Sequence, residues 1–318
     1  MAGSFRGIAG LTRRAGDDTP LPAGRARRLL VIYNPAAGRR SARRLRRFLD
    51  HLARLAVPAV VRETAGRGDA EAFARAADAG EFDAVVAAGG DGTINEAVNG
   101  LAASDLPLAI LPLGTANVLA NEIGLPRDPG RLAAIAAAGV ARPVRTGEVI
   151  WDGGARRFVM MAGIGFDASV VAGLDPVLKR RFGKLAYVAE IVARLARHRD
   201  CRYSVACAGE EIPVAAAVVA NGRFYAGRFV LAPGARLEAP TLELVLFLRG
   251  GRLAVIRYMV AMALGRVHRV PDVRILRAAS VSLAGPAGAP VHADGDIVAS
   301  FPVTIALAPR PLRLIRPG

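Results

Sequence analysis

The sequence predicts two fold classes in one chain: an open parallel α/β sheet over residues 28–142, then a mostly antiparallel β region over 143–308. Three observations carry this. Residues 28–142 alternate short, β-branched apolar runs with stretches of helical spacing, the pattern of strands separated by crossover helices. From Arg142 onward the runs shorten and turn signals crowd between them, which reads as hairpins. Within the first region, residues 83–101 (DAVVAAGGDGTINEAVNGL) join a strand to a helix through Gly89-Gly90-Asp91-Gly92. Such a glycine turn lets backbone approach an anion closely, and the helix start behind it offers unpaired N–H groups. Asp91 puts a carboxylate where a bare anion site would avoid one, which points to a divalent cation between carboxylate and phosphate.

Taken in order, residues 1–27 are rich in Gly, Arg and Pro without periodicity and read as a disordered basic arm. Residues 28–33 (RLLVIY) form a buried strand ending in the turn Asn34-Pro35-Ala36-Ala37-Gly38. Ser41 is placed to cap the next helix, whose apolar face runs through Ala42, Leu45, Phe48, Leu49, Leu52 and Leu55. A second strand spans 58–64, a second helix 69–79, and a third strand opens at Asp83. The third helix covers 93–101, with Ile94, Ala97, Val98 and Leu101 on one face. Strand 108–113 turns at Gly114-Thr115-Ala116-Asn117 into a helix through Ile123, and a further helix lies near 130–138. In such sheets ligands sit beyond the carboxyl ends of the strands. Asn34 to Gly38, Thr64, Gly89 to Glu96 and Gly114 to Asn117 all fall on that edge.

Strands of the second region are expected at 144–151, 157–162, 202–208, 214–220, 228–232, 242–248, 273–276, 280–284 and 297–307. Asp152-Gly153-Gly154 and Gly209-Glu210-Glu211 supply turns. Helices at 176–198 and 253–264 interrupt the pattern. The first carries Arg and Lys beside an apolar face, which suits either packing on the β region or contact with a membrane interface.

Composition narrows the class. The net charge is +16, and residues 1–54 hold 13 Arg against three Asp, so most of the excess sits at the N-terminal end. That imbalance suits an anionic surface, while the few aromatics, not interleaved with the arginines, argue against nucleic acid. No apolar run reaches the ~18 residues of a membrane span, and the first residues lack a secretory core, so the chain reads as cytoplasmic. Cys201 and Cys207 lie too far apart along one strand to pair, and four scattered histidines give no zinc pattern.

Two further constellations stand out. Gly163-Ile164-Gly165-Phe166-Asp167-Ala168 has the spacing of a dinucleotide fingerprint, but no βαβ unit surrounds it. Asp294-Gly295-Asp296 is a good hairpin turn and also a second acidic pair. If it faces the phosphate edge, Asp294 is the candidate to accept a proton from a substrate hydroxyl, and Asp296 to help hold Mg²⁺. With Asp91 these make up the candidate catalytic set for phosphoryl transfer.

Asn34-Pro35 with Gly38, Thr64, GGDGTINE at 89–96, Pro112-Leu113-Gly114-Thr115-Ala116-Asn117, Gly163 to Ala168, Ala232-Pro233 and Asp294-Gly295-Asp296 together resemble the diacylglycerol kinase catalytic family of bacterial lipid kinases. The resemblance runs from about residue 28 to the end. It implies a nucleotide-binding α/β domain over 28–142, rejoined by 309–318, and a β-sandwich substrate domain over 143–308, with catalysis between them. It further implies ATP and Mg²⁺, and a lipid acceptor such as diacylglycerol or ceramide reached by peripheral association with the inner face of the cell membrane. Carried over by position, Asn34, Pro35, Gly38 and Thr64 would contact the nucleoside. Gly89, Gly90, Asp91, Gly92, Thr93, Asn95 and Glu96 would hold phosphates, with Gly114, Thr115 and Asn117 completing the site. Asp294 would be the general base, and Asp91 and Asp296 the metal ligands. The sequence departs from the family at Val118, where many relatives carry Asp, and at 236–242, where Glu238 is the one acidic candidate for an accessory ion. An NAD kinase, which shares the glycine turn, and a non-catalytic nucleotide or lipid sensor are the competing readings. The oligomeric state stays open, a homodimer included.

Overall fold

The structure, a computed structural model, describes residues 27–38, 40–173, 190, 193–195 and 202–317. The expected arm therefore lies outside the described residues except for Arg27. Its guanidinium donates to the carbonyls of Ala136 and Gly139 at the C-terminal end of a helix, where a cation is favoured. The expected helix at 176–198 also lies largely outside them, as does Cys201; Cys207 is a buried free thiol.

The first sheet takes β1 (Leu29–Tyr33), β2 (Ala59–Glu63), β3 (Ala84–Gly89), β4 (Leu108–Pro112) and β5 (Val140–Val144). Its helices are α1 (Ser41–Arg54), α2 (Asp69–Arg75), α3 (Asp91–Gly100), α4 (Val118–Glu122) and α5 (Pro129–Ala138). Beyond it come β6 (Gly147–Trp151), β7 (Gly154–Phe158), β8 (Met161–Ile164), α6 (Phe166–Gly173), β9 (Tyr203–Cys207), β10 (Glu210–Val214), β11 (Ala216–Ala220), β12 (Phe224–Tyr225), β13 (Phe229–Val230) and β14 (Leu242–Phe247). Then follow α7 (Arg252–Ala263), β15 (Val273–Ala278), β16 (Ser280–Ala284), β17 (Pro290–Ala293), β18 (Asp296–Ser300), β19 (Val303–Leu307) and β20 (Leu312–Arg316).

The first sheet runs β2-β1-β3-β4-β20-β5, with β1 to β4 and β20 parallel and β5 antiparallel at the edge. Period two splits its strands between two layers. Leu29 and Val31 of β1 pack with α1 and α5, while Leu30 and Ile32 pack on the side of α2 and α3. The return of the chain through β20 closes the sheet, and β5 straddles the expected boundary at 142/143.

Two antiparallel sheets follow, β10-β9-β16-β19-β6-β7 and β15-β14-β11-β8-β17-β18. Val205, Val281 and Ile305 of the first meet Val219, Leu244 and Val291 of the second in one buried apolar interior, so the region is a sandwich. The other face of the second sheet, through Val218, Ala220 and Val245, joins the same core as Val98, Ile110 and Leu314. The α/β and β parts therefore share one hydrophobic cluster.

Several local expectations change. Ser41 does not cap α1: its hydroxyl is buried against Tyr33 and the Pro35 carbonyl, 3.1 and 3.2 Å away. Ala42 and Leu55 lie outside the buried face. Helix α2 ends at Arg75, and beyond it Asp78 takes the Gly80 N–H in a side-chain turn. Helix α3 starts two residues early, at Asp91. The turn expected at 209–211 sits at Ala208-Gly209, both at positive φ, and Glu210 already begins β10. The long strand expected at 297–307 divides into β18 and β19, in different sheets, at Pro302, which has no N–H to continue a ladder.

Candidate active site

The glycine turn and the Gly114 turn form one floor. Gly90 and Gly114 touch backbone to backbone: a methyl on Gly114 would come within 2.6 Å of the Gly90 Cα. Asp91 binds the second turn from the first. Its Oδ2 accepts the Asn117 N–H at 2.9 Å and its Oδ1 the Val118 N–H at 2.6 Å, so it caps α4. Asn117, at φ +46°, folds its amide back on the Gly114 N–H and carbonyl. Burial pushes the Asp91 carboxyl above its ordinary range, and the charge of Asp294 adds to this, against the pull of the two N–H donors. Gly92 and Thr115 are exposed on this edge, and no side chain crowds the space over Gly92.

The remaining edge residues hold the turns in place. The Asn34 amide donates to the Thr93 hydroxyl at 3.0 Å, while its Oδ1 accepts from the Ala36 N–H of the turn through Pro35. Gly38 lets that turn pass 3.0 Å from the Leu113 carbonyl, measured from where a Cβ would stand. Thr64 is buried, its N–H on the Tyr33 carbonyl. Glu96 accepts the Ala70 N–H and thereby fixes the start of α2. Asn95 is buried and reaches into the β region: its Nδ2 donates to the Arg157 carbonyl at 3.0 Å and to Asp294 Oδ2 at 2.9 Å.

Asp294 and Gly295, both at positive φ, form the two-residue turn between β17 and β18, so the hairpin reading and the site reading hold together. The Asp294 carboxylate also accepts the N–H groups of Val159, Met160 and Met161 at 2.7 to 3.0 Å. With Asn95 that makes four donors on a group with about four lone-pair sites. Desolvation still pushes its carboxyl upward against those donors.

Behind Asp294 lies a charged group that sequence reasoning missed. His292 Nε2 meets Asp167 Oδ2 at 2.6 Å, and the Tyr225 hydroxyl donates to the other Asp167 oxygen. Burial pulls the imidazole down, but the charge and hydrogen bond of Asp167, with Asp294 and Asp296 beyond, more than offset it, so His292 sits above its ordinary value. Asp167 in turn sits below its own, burial being outweighed by His292 and the Tyr225 hydroxyl. The available signal was the glycine-flanked Phe166-Asp167-Ala168 motif. Its Gly165 serves the turn from β8 into α6 at φ +89° rather than a dinucleotide.

The metal candidates separate. Asp296 pairs with Arg67 at 3.4 Å and Glu238 with Arg316 at 2.5 Å. Among the described residues no three or more His, Cys, Asp or Glu side chains gather into a metal cage. Mg²⁺ usually takes one or two carboxylates and completes its shell with water and phosphate. Asp91 has the oxygens for that role, with three N–H donors (those of Asn117, Val118 and Asp91 itself) on about four lone-pair sites.

Comparisons with known proteins bear on the family and the fold. Residues 28–149 match the diacylglycerol kinase catalytic domain, and residues 160–316 match the YegS C-terminal NAD kinase beta sandwich-like domain. A diacylglycerol kinase of Mycobacterium tuberculosis is 32% identical over 254 residues, covering 78% of this chain and 82% of that one. The chain belongs to the diacylglycerol kinase catalytic-domain family. It is a lipid kinase, as the names of its family and relatives indicate. Solved structures share its fold. A diacylglycerol kinase from Bacillus anthracis str. Sterne superposes with a TM-score of 0.74 at 24% identity, covering 92% of this chain and 98% of that one. Yeast NADH kinase reaches a TM-score of 0.53 at 11% identity, covering 94% and 84%, which is a likeness of fold alone.

Proposed function

We propose that this lipid kinase transfers the γ-phosphoryl group of ATP to the hydroxyl of a lipid such as diacylglycerol or ceramide, at the inner face of the cell membrane. One observation carries the reading. The Asn95 hydrogen bond to Asp294 ties the turn of the β region to the helix that begins at the glycine turn, so acceptor and phosphate sites would meet across one side chain.

The start of α3, at ten residues long enough to present a full turn of N–H groups, would receive the phosphates over Gly90 and Gly92. Asp91 would hold Mg²⁺, with Asp296 the second candidate ligand, and the ion would supply charge neutralisation on the transferring group. Three of the four donors on Asp294 are backbone N–H groups fixed by the chain entering β8; the fourth is the Asn95 amide, whose other N–H already has the Arg157 carbonyl. The acceptor hydroxyl takes the place of Asn95 on Oδ2 and gives its proton there. Its oxygen forms the new bond to phosphorus as the bond to the β-phosphate oxygen breaks and ADP leaves. Desolvation, which raises Asp294 above a surface carboxylate, makes it the better base for this.

The test is transfer of labelled γ-phosphate from ATP in mixed micelles to diacylglycerol, ceramide, sphingosine and phosphatidylglycerol, with NAD as soluble control. Label on one lipid is expected. Label on NAD alone would move the protein to the dinucleotide kinases, and ATP binding with no label anywhere would point to a sensor or to an acceptor outside the panel.

A further inference from the structure

Helix α7 is apolar on its outer face. Val255, Tyr258 and Ala261 are buried against the molecule. The opposite side carries Leu253, Ile256, Val260 and Leu264, which are 84, 44, 53 and 64% exposed. Steps of three, four and four residues align these four on one stripe along the helix and its end. The helix thus has apolar residues on two opposite faces, and only one of them has an interior to pack against. The apolar surface continues onto Phe229, 45% exposed on β13, which packs beside α7.

The rim of the stripe is basic. Arg252 and Arg257 are exposed and flank it on either side of the helix. Arg249 precedes it, and Arg266 and Arg269 follow, all exposed. From Arg249 to Pro271 the chain holds no Asp or Glu; Asp272, just beyond, pairs with Arg257.

We propose that this face docks on an anionic phospholipid bilayer, with α7 lying in the plane of the interface, its leucine stripe among the acyl chains and its arginines at the headgroups. The length of α7 excludes a span, since twelve residues reach about 18 Å against ~30 Å of hydrocarbon. A second copy of the chain is the poorer occupant: a two-fold contact through the stripe would set two arginine-rich rims against each other. An anionic bilayer offers both chemistries at once, apolar depth and negative headgroups. The proposal rests on the lipid-kinase reading for what docking serves, because β13 belongs to the hairpin whose Tyr225 holds Asp167 beside the Asp294 turn.

The experiment is vesicle flotation of the full chain without nucleotide, on phosphatidylcholine alone and on phosphatidylcholine mixed with phosphatidylglycerol. The triple variant Leu253→Gln, Val260→Gln, Leu264→Gln runs alongside; all three sites are exposed and Gln is a good helix former, so its melting temperature should match the wild type. Wild type should float with the anionic vesicles, less at high salt, and the triple variant should bind about tenfold more weakly or worse. Equal binding by the two proteins, or no binding by wild type, overturns the proposal. So does a wild-type dimer that the triple variant turns into a monomer, which would assign the stripe to a second copy. Phosphorylation of a short-chain, micelle-free diacylglycerol separates the two readings: the triple variant should keep it while losing turnover on vesicles, and its absence in both proteins would count against the kinase reading, not the docking face.

Discussion

Asp294 accepts N–H hydrogen bonds from Val159, Met160, Met161 and Asn95, so Asp294→Asn changes two things together. It removes the base, expected to cost ~10²–10⁴ in turnover. It also sets an NH₂ group against donors that had an oxygen, at about 1–3 kcal/mol for each one left unpaired. The variant should therefore melt lower as well as turn over slowly, and kcat must be compared at a temperature where both proteins are folded. Activity within a few-fold of wild type would remove Asp294 from the chemistry. The neighbouring pair gives a pH prediction. His292 titrates above its ordinary 6.5, so its stabilisation is full below that value and is lost as pH rises through the raised folded value. Asp167 titrates below its ordinary 3.8, so its share is present above that value and is lost as pH falls through the lowered one. Urea unfolding of wild type and His292→Gln should show the largest gap between about pH 4 and 6.5, narrowing at higher pH. A gap independent of pH would mean that His292 packs there uncharged. Neither group was legible from the chain: 167, 225 and 292 are brought together by three separate elements, and a lone histidine in a sequence carries no sign of its partner.

At the scale of elements, what could be read was what is local. The run from β3 through the glycine turn into α3 is contiguous, and its apolar spacing, turn residues and helix start all lie within twenty residues of sequence. What escaped was non-local. The chain pattern shows α7 as a helix but not which side stays in solvent, and β17 is a strand mainly because β8 and β18 are there to pair with it. The α3 start also yields a prediction that separates folding from ligand binding. Gly92 lies in the first turn of α3, exposed, with nothing within 4 Å of the position of an added Cβ. Gly92→Ala should fold at least as stably, by up to ~1 kcal/mol from helix propensity. If phosphate approaches the helix there, the methyl intrudes, and KM for ATP should rise about tenfold or more. Gly114→Ala does the reverse, since its Cβ meets the Gly90 backbone at 2.6 Å and pries the two turns apart, lowering the melting temperature first. Equal KM for wild type and Gly92→Ala would place the phosphates elsewhere on the edge.

On the scale of the molecule, two architectures meet in a chain that returns to its start. Strand β20 completes the first sheet after the sandwich has been built, so the sheet cannot close until the sandwich segments are made. The link is also one of packing and polar contact. Leu314 of β20 and Val245 of β14, both fully buried, belong to one cluster with Val98 of α3. Arg156 of β7 pairs with Glu71 of α2 and donates to Asn95, while Asn99 exchanges hydrogen bonds with Arg157. A shared core of this kind should unfold as a unit even though each half has the pattern of a separate domain. Leu314→Ala is expected to cost ~2–5 kcal/mol, and Val245→Ala, a smaller truncation on the far side of the same cluster, somewhat less. Calorimetry should show one transition that both substitutions move downward. Two transitions, each shifted by only one of the substitutions, would mean that the halves are independently stable and that Asn95 and Asp294 are brought together by docking rather than by folding. In that case the cleft could open between turnovers, and single-transition behaviour would return only with ligand bound across it.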